Sequence, residues 1–286
     1  MRVLTKFDPW RSPLCTCPEK YSLHPYTGCS HFCLYCYATS YIGVRPSRPK
    51  RDFLIKLIRD LGEADRSLVI SMSNSSDPYP PEERLHKLTR RTLEILINRG
   101  FKVQIITKGA LALRDVDLFE RGRVCISVSF STINDELSKK LEPGASSLRE
   151  RLLLVEKLAK RGIPVSARVD PLIPRLNEGL EELVSILVNK GVNHITFSTY
   201  KARPDNFQRM VSAFPEFKNK WYEMYRRDGV RMHGYWYLSL NERVKLLKPL
   251  IEIAKREGIT YATCREGLTS KEFFNAPTCD GTHLIK

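Results

Sequence analysis

Cys29-Ser30-His31-Phe32-Cys33-Leu34-Tyr35-Cys36 places three cysteines within eight residues, separated by three and then two positions. A structural zinc or a fully ligated [4Fe–4S] cluster takes four protein ligands. Three closely spaced thiolates satisfy three irons of a cubane and leave the fourth open to a small molecule. The competing reading, three thiols filling a core or forming part of a zinc knuckle, makes poor use of cysteines so close together. The stretch directly follows a strand-like segment at residues 22–26, which puts it in the first loop of the fold.

Outward from this loop, strand-like runs alternate with helical ones. The runs lie at residues 68–73, 102–107, 123–130, 163–169 and 193–198, with helices expected at about 82–98, 114–120, 146–160 and 178–189. A strand, loop and helix every 30 residues or so is the mark of a parallel βαβ sheet. The strands read as near-continuous apolar runs, as suits a sheet covered on both faces. Counting the first strand, there are about six βα units, short of an eight-stranded barrel. The expected fold is α/β, a partial (β/α)6 TIM-like barrel with its site at the C-terminal ends of the strands. Beyond about residue 200 the rhythm changes to helices at 204–227 and 241–257, a strand at 259–264 and a tail containing Gly and Pro. The expected division is therefore a barrel core with an N-terminal cysteine segment over 1–200 and a mostly helical extension over 201–286.

The chain has 286 residues, and 47 Lys and Arg against 32 Asp and Glu give a net charge of +15. A charge of this size draws polyanions by counterion release and long-range steering, so nucleic acid is one partner class to weigh against an ordinary solvated basic surface. Basic density is highest at Arg45, Arg48, Lys50 and Arg51, at Arg84, Lys87, Arg90 and Arg91, and around Arg226, Arg227 and Arg231. No apolar run approaches membrane-spanning length and the first residues lack a signal-peptide core. Eight cysteines grouped toward the two ends point to metal ligation before disulfides in an intracellular protein, read as cytoplasmic.

Each strand end offers polar groups. Ser73-Asn74-Ser75-Ser76-Asp77 follows the second strand and Thr107-Lys108-Gly109 the third; Ser127 and Ser129 lie on the fourth, Arg168 and Asp170 on the fifth. Lys and Arg suit a carboxylate, and Ser and Asn suit hydroxyls. Singly, each is ordinary.

The cysteine spacing, with Tyr35 before the last cysteine and Tyr37-Ala38 after it, resembles the cluster loop of the radical S-adenosylmethionine (SAM) superfamily. His24 through Ala38, with Ser75-Ser76-Asp77 and Thr107-Lys108-Gly109 downstream, is similar to the spore photoproduct lyase branch and its uncharacterised relatives over about residues 15–200. The resemblance implies that Cys29, Cys33 and Cys36 hold a [4Fe–4S] cluster whose open iron takes SAM. One electron, from a donor such as a ferredoxin or flavodoxin, then releases a 5′-deoxyadenosyl radical that abstracts hydrogen in a lyase or transferase-type reaction. It also implies SAM contacts from Ser75, Lys108 and Ser129, with Tyr35 near the adenine, and Arg168 is a further candidate. Lesion-repairing members carry a hydrogen-donating cysteine before the turn that follows the second strand. Residues 73–77 hold none, so a different substrate is expected: nucleic acid first, then a peptide or small metabolite. The catalytic hydrogen donor is not identified by the motif. A reading from another class is a non-catalytic iron–sulfur or zinc protein that binds nucleic acid.

Cys15, Cys17, Cys264 and Cys279 would complete a four-thiolate set, for an auxiliary [4Fe–4S] cluster or a zinc, if the two chain ends meet; His283 is a substitute ligand. Cys125 sits inside a strand and reads as a buried small hydrophobe. Trp221 and Tyr225, among arginines, suit either a core face or a stacking platform for bases.

Overall fold

The computed structural model describes residues 2–7 and 14–286. Its central sheet has eight strands: β1 (Leu4–Lys6), β2 (Lys20–Leu23), β3 (Val69–Met72), β4 (Lys102–Thr107), β5 (Arg123–Phe130), β6 (Val165–Leu172), β7 (His194–Thr199) and β8 (Thr260–Thr263), side by side in that order. From β2 onward each neighbouring pair is parallel, and β1 runs antiparallel to β2. The six expected strands are β2 to β7, and the chain beyond residue 200 adds β8 as a seventh parallel strand. The architecture is a mixed α/β partial barrel.

The longer helices are α1 (Phe53–Leu61), α2 (Leu88–Asn98), α3 (Val116–Arg121), α4 (Asp135–Leu141), α5 (Leu148–Lys160), α6 (Glu181–Asn189), α7 (Pro204–Ala213) and α8 (Leu240–Arg256), with short ones at Thr39–Ile42, Glu83–His86 and Lys218–Tyr222. Local chemistry starts α5: the Ser147 hydroxyl accepts from the Glu150 N–H, and the Glu150 carboxylate accepts from the Ser147 N–H at 2.8 Å, a reciprocal cap. Leu93 and Leu96 of α2 are fully buried against the sheet. Burying each stabilises by roughly 1.5–3 kcal/mol, and truncating Leu96 to Ala would cost about 2–5 kcal/mol.

Three local expectations change. The helix expected at 82–98 is two helices broken at Lys87, whose φ is +49°. The Glu83 carboxylate turns inward there and accepts from the N–H groups of Thr89 and Arg90, serving as an N-cap for α2. The helix expected at 204–227 breaks after Ala213, where Pro215 cannot continue the hydrogen-bond ladder of α7. The strands are also not apolar on both faces. Ile70, Val103, Ile126, Val165 and Ile195 join the helix-side core, while their neighbours Ser71, Gln104, Ser166 and Thr196 are equally buried on the opposite face.

The tail supplies acceptors to two residues of that polar inner face. The Asp280 carbonyl accepts from Gln104 Nε2 at 2.6 Å and the Cys279 carbonyl from Thr196 Oγ1 at 2.8 Å. The Asp280 carboxylate pairs with Lys20 of β2, both fully buried. Trp221 and Tyr225 belong to a second apolar cluster with Phe207, Met210 and Phe214 of the C-terminal part, which places them in a core. Cys125 is buried, with its Sγ 4.0 Å from Ser166 Oγ on the inner face. Among the described residues no helix is long and apolar enough to cross a membrane.

Candidate active site

The loop after β2 carries Cys29, Cys33 and Cys36 on two tight turns, closed by Phe32 N–H to Cys29 O at 3.4 Å and Cys36 N–H to Cys33 O at 3.2 Å. All three thiols line one cavity of about 440 Å³. Burial and the Asp77 carboxylate push the Cys29 thiol up to about 12, and burial also raises Cys33 and Cys36. The Lys108 ammonium pulls all three the other way. Backbone N–H groups of His31 face Cys29, and those of Ala38 and Thr39 face Cys36.

These features fit an iron–sulfur cluster with one iron open. The donors are soft thiols, N–H groups already point at two of the sulfurs, and a cavity adjoins them. Among the described residues no three His, Cys, Asp or Glu side chains stand close enough to grip a single ion.

The loop is held by residues far away in sequence. Leu34 N–H donates to the Leu141 carbonyl at 2.9 Å, and Gly144 N–H donates to the His31 carbonyl at 3.0 Å. The Tyr35 hydroxyl donates to Glu142, which also pairs with Arg151 at 2.8 Å and lies 3.9 Å from Lys108 Nζ. From α7, Asn206 Nδ2 donates to the Tyr35 carbonyl at 2.8 Å and Arg209 Nη2 to the Cys36 carbonyl at 2.9 Å. Gly144 is required by contact: a Cβ there would lie 1.9 Å from the Ser30 carbonyl oxygen.

The strand-end candidates line the same cavity: Ser75, Lys108, Ser129, Arg168 and the ring of Tyr35. Ser75 Oγ is 3.4 Å from His24 Nε2. Lys108 stands 5.7 Å from the Tyr35 ring centroid, and its N–H donates to Asp77 at 2.8 Å. Asp77 also accepts from Thr107 Oγ1 at 2.7 Å and from the Tyr79 N–H at 2.8 Å, knitting the loops after β3 and β4 together. Arg168 is turned toward Asp170 at 3.0 Å and the Cys264 thiol.

Cys15, Cys17 and Cys264 line the cavity as well, and Cys279 Sγ is 3.5 Å from Cys17 Sγ. The two chain ends therefore meet. His283 takes Thr278 at 2.8 Å and Thr260 at 3.5 Å as its partners. Sequence reasoning missed Glu142, Arg151, Asn206 and Arg209. Glu142-Pro143-Gly144 directly after a helix was a local hint of a tight turn, but nothing in it names the loop it would meet.

The model of the radical SAM superfamily matches residues 23–188. An uncharacterised protein of Mycobacterium tuberculosis is 26% identical over 249 residues, 79% of this chain and 73% of that protein. A radical SAM Nalpha-GlyT isomerase of Pseudomonas phage M6 is 26% identical over 259 residues, 85% of this chain and 53% of that protein. Among solved structures, a spore photoproduct lyase mutant with bound AdoMet and dinucleoside spore photoproduct superposes with a TM-score of 0.66 at 19% identity, over 87% of this chain and 78% of that one. At that identity the likeness is one of fold.

Proposed function

The chain belongs to the radical SAM superfamily, and we propose that it is an enzyme that cleaves SAM reductively and abstracts hydrogen from a nucleic-acid substrate. The observation that carries this reading is the single cavity in which the three thiols of the loop after β2 face the polar ends of β3 to β6. Cys29, Cys33 and Cys36 would hold a [4Fe–4S] cluster, which when bound with SAM on its open iron supplies the electron that yields a 5′-deoxyadenosyl radical.

The chain's own residues do the holding. Lys108 supplies positive charge beside the thiols and within reach of a carboxylate, which in a partly dry site gives a strong charge-assisted bond. Ser75 and Ser129 offer hydroxyls, and buried Asp77 fixes the loops that present Lys108. Tyr35 closes one side of the cavity, with its hydroxyl already engaged by Glu142.

Nucleic acid is favoured by the position of one basic run. Residues 45–51 pack directly on the cluster loop: Cys29 N–H donates to the Arg45 carbonyl at 2.9 Å, and Ser30 N–H to Ser47 Oγ at 3.0 Å. Arg45, Arg48 and Arg51 are exposed beside it. The dinucleoside named with the lyase structure is in keeping with this class. The stretch Ser73–Asp77 lacks a thiol, so the substrate is proposed to differ from spore photoproduct; a thiol's weak S–H bond has no substitute in serine or asparagine.

The test is anaerobic reconstitution with iron and sulfide, then dithionite and SAM, with 5′-deoxyadenosine as readout. Cys33→Ala should abolish product. Deuterium carried from labelled DNA or RNA into 5′-deoxyadenosine would identify the substrate class. No SAM cleavage from a chain carrying a full cluster would overturn the reading.

A further inference from the structure

The tail after β8 folds back onto the segment before β2, and the residues it brings together there are thiols. Cys15 and Cys17 come from one end of the chain, Cys264 and Cys279 from the other. The Sγ atoms of Cys17 and Cys279 are 3.5 Å apart across 262 positions of sequence. That is close to the ~3.8 Å edge of a tetrahedron built on metal–sulfur bonds of about 2.3 Å. Cys15 is hydrogen-bonded to Cys17, and Cys264 lies within electrostatic reach of Cys15, Cys17 and Cys279. No disulfide joins any of them.

Two cations face the group. Arg168 is hydrogen-bonded to Cys264, and Lys20 lies near Cys17 and Cys279 while paired with Asp280. Both are largely buried, and a net negative thiolate centre needs such neighbours in a low-dielectric interior. A core would not choose this composition, since it gathers half of the chain's eight cysteines beside two buried charges.

We propose that Cys15, Cys17, Cys264 and Cys279 form a second metal centre, a closed four-thiolate site distinct from the Cys29–Cys33–Cys36 triplet. Its occupant is a thiophilic metal, either one zinc ion or one iron–sulfur cluster, bound as the four thiols release their protons to solvent. With all four positions taken by protein, it has no open place for SAM and is not a second radical initiator. Its role follows from its position. It clasps the tail that follows β8, the last strand of the sheet, to the segment before β2, and three of its thiols line the same cavity as the triplet. Cys17 already meets both Cys279 and Cys15, but no three of these thiols yet stand close enough to grip one ion, so metal binding would draw the set together and order the tail as it does so.

The test does not depend on SAM cleavage. The chain carrying Cys29→Ala, Cys33→Ala and Cys36→Ala is purified anaerobically after growth with added zinc and iron. Metal and acid-labile sulfide are then counted. The expected result is about one zinc, or about four irons with sulfide, per chain, lost when Cys17→Ser and Cys279→Ser are added. Should those variants fail to fold, the chain with all its cysteines is treated with iodoacetamide before and after chelation. Alkylation of Cys15, Cys17 and Cys264 should rise about tenfold or more once metal is removed. A folded triplet-free chain without stoichiometric metal, or alkylation that ignores the chelator, would overturn the proposal.

Discussion

Glu142 joins the cluster loop to the barrel wall, and replacing it with Gln changes little but charge. Its carboxylate is buried completely, and Arg151 beside it is 1% exposed. Burial alone would raise the acid, but Arg151 and Lys108, with the Tyr35 hydroxyl, outweigh that and hold it below the usual carboxylate range. The native state therefore contains the ion. Glu142→Gln leaves the Arg151 guanidinium buried among neutral partners alone, the Ser129 carbonyl and Ser138 Oγ at 2.7 and 2.9 Å and the Phe130 ring centroid at 5.6 Å. Removing one member of a buried pair costs roughly 3–5 kcal/mol, and since Gln still accepts from Tyr35 we take the lower end, about 3 kcal/mol.

An unfolding entropy near 2.1 cal/mol/K per residue gives about 0.6 kcal/mol/K for 286 residues. The expected fall in Tm is thus about 5 °C, measured by circular dichroism or calorimetry. The control is the double variant Glu142→Gln with Arg151→Met, which removes both charges and should return to within about 2 °C of the parent, since trading a buried pair for apolar volume is often neutral. A fall under about 2 °C in the single variant, or a double variant no better than it, would refute the picture of a buried ion holding its partner.

Three further outcomes are expected. Gly144→Ala puts a Cβ 1.9 Å from the Ser30 carbonyl oxygen, so the cluster loop must shift; iron retained per chain should fall and stability drop by about 1–3 kcal/mol, whereas unchanged iron content would sink the claim. His24 is held neutral, down to about 4, by burial and then by Lys50. The unfolded chain, titrating near 6.5, therefore binds the extra proton first, and stability is lost as pH falls from about 6.5 toward 4, by up to about 3 kcal/mol; in urea unfolding the parent should lose that much relative to His24→Gln over the window, and parallel pH profiles would count against it. Changing Arg45, Arg48 and Arg51 together to Gln should reduce the salt dependence of duplex DNA binding by up to about 0.9 in log–log slope for each phosphate no longer neutralised; an unaltered slope would remove residues 45–51 from the interface.

The strands were legible as short β-rich runs bounded by loop residues, and β5 forms over the residues expected. Their two faces were not: Cys125, Ser127 and Ser129, which alternate with Val124, Ile126 and Val128, passed as part of one apolar run. The motif was legible because its three thiols share one loop. The supports were not. Glu142 lies 107 positions from Tyr35, and Arg209 lies 173 from Cys36; neither carries a periodicity that records its partner. The break at Lys87 failed for a similar reason, because Glu83 reads as an ordinary helical residue until its carboxylate is seen capping α2.

The tail is the extreme case. Residues 265–286 have no strand or helix pattern to read, yet Arg265 and Asp280, with Cys264 just before them, line the cavity that also holds the triplet. One wall of the cavity is built from loops that directly follow parallel strands, the part a local motif can announce. Another part is built from the two chain ends, brought together by Lys20–Asp280, Cys17–Cys279 and the carbonyls of Cys279 and Asp280 on the inner faces of β7 and β4. On the proposed reading, a substrate that meets a radical formed beside the triplet would also meet the residues of the chain ends that line the same cavity. Chains that share the cluster loop and the barrel can thus differ in target through segments that lie outside the matched residues 23–188, and here those segments contribute four thiols and a buried ion pair.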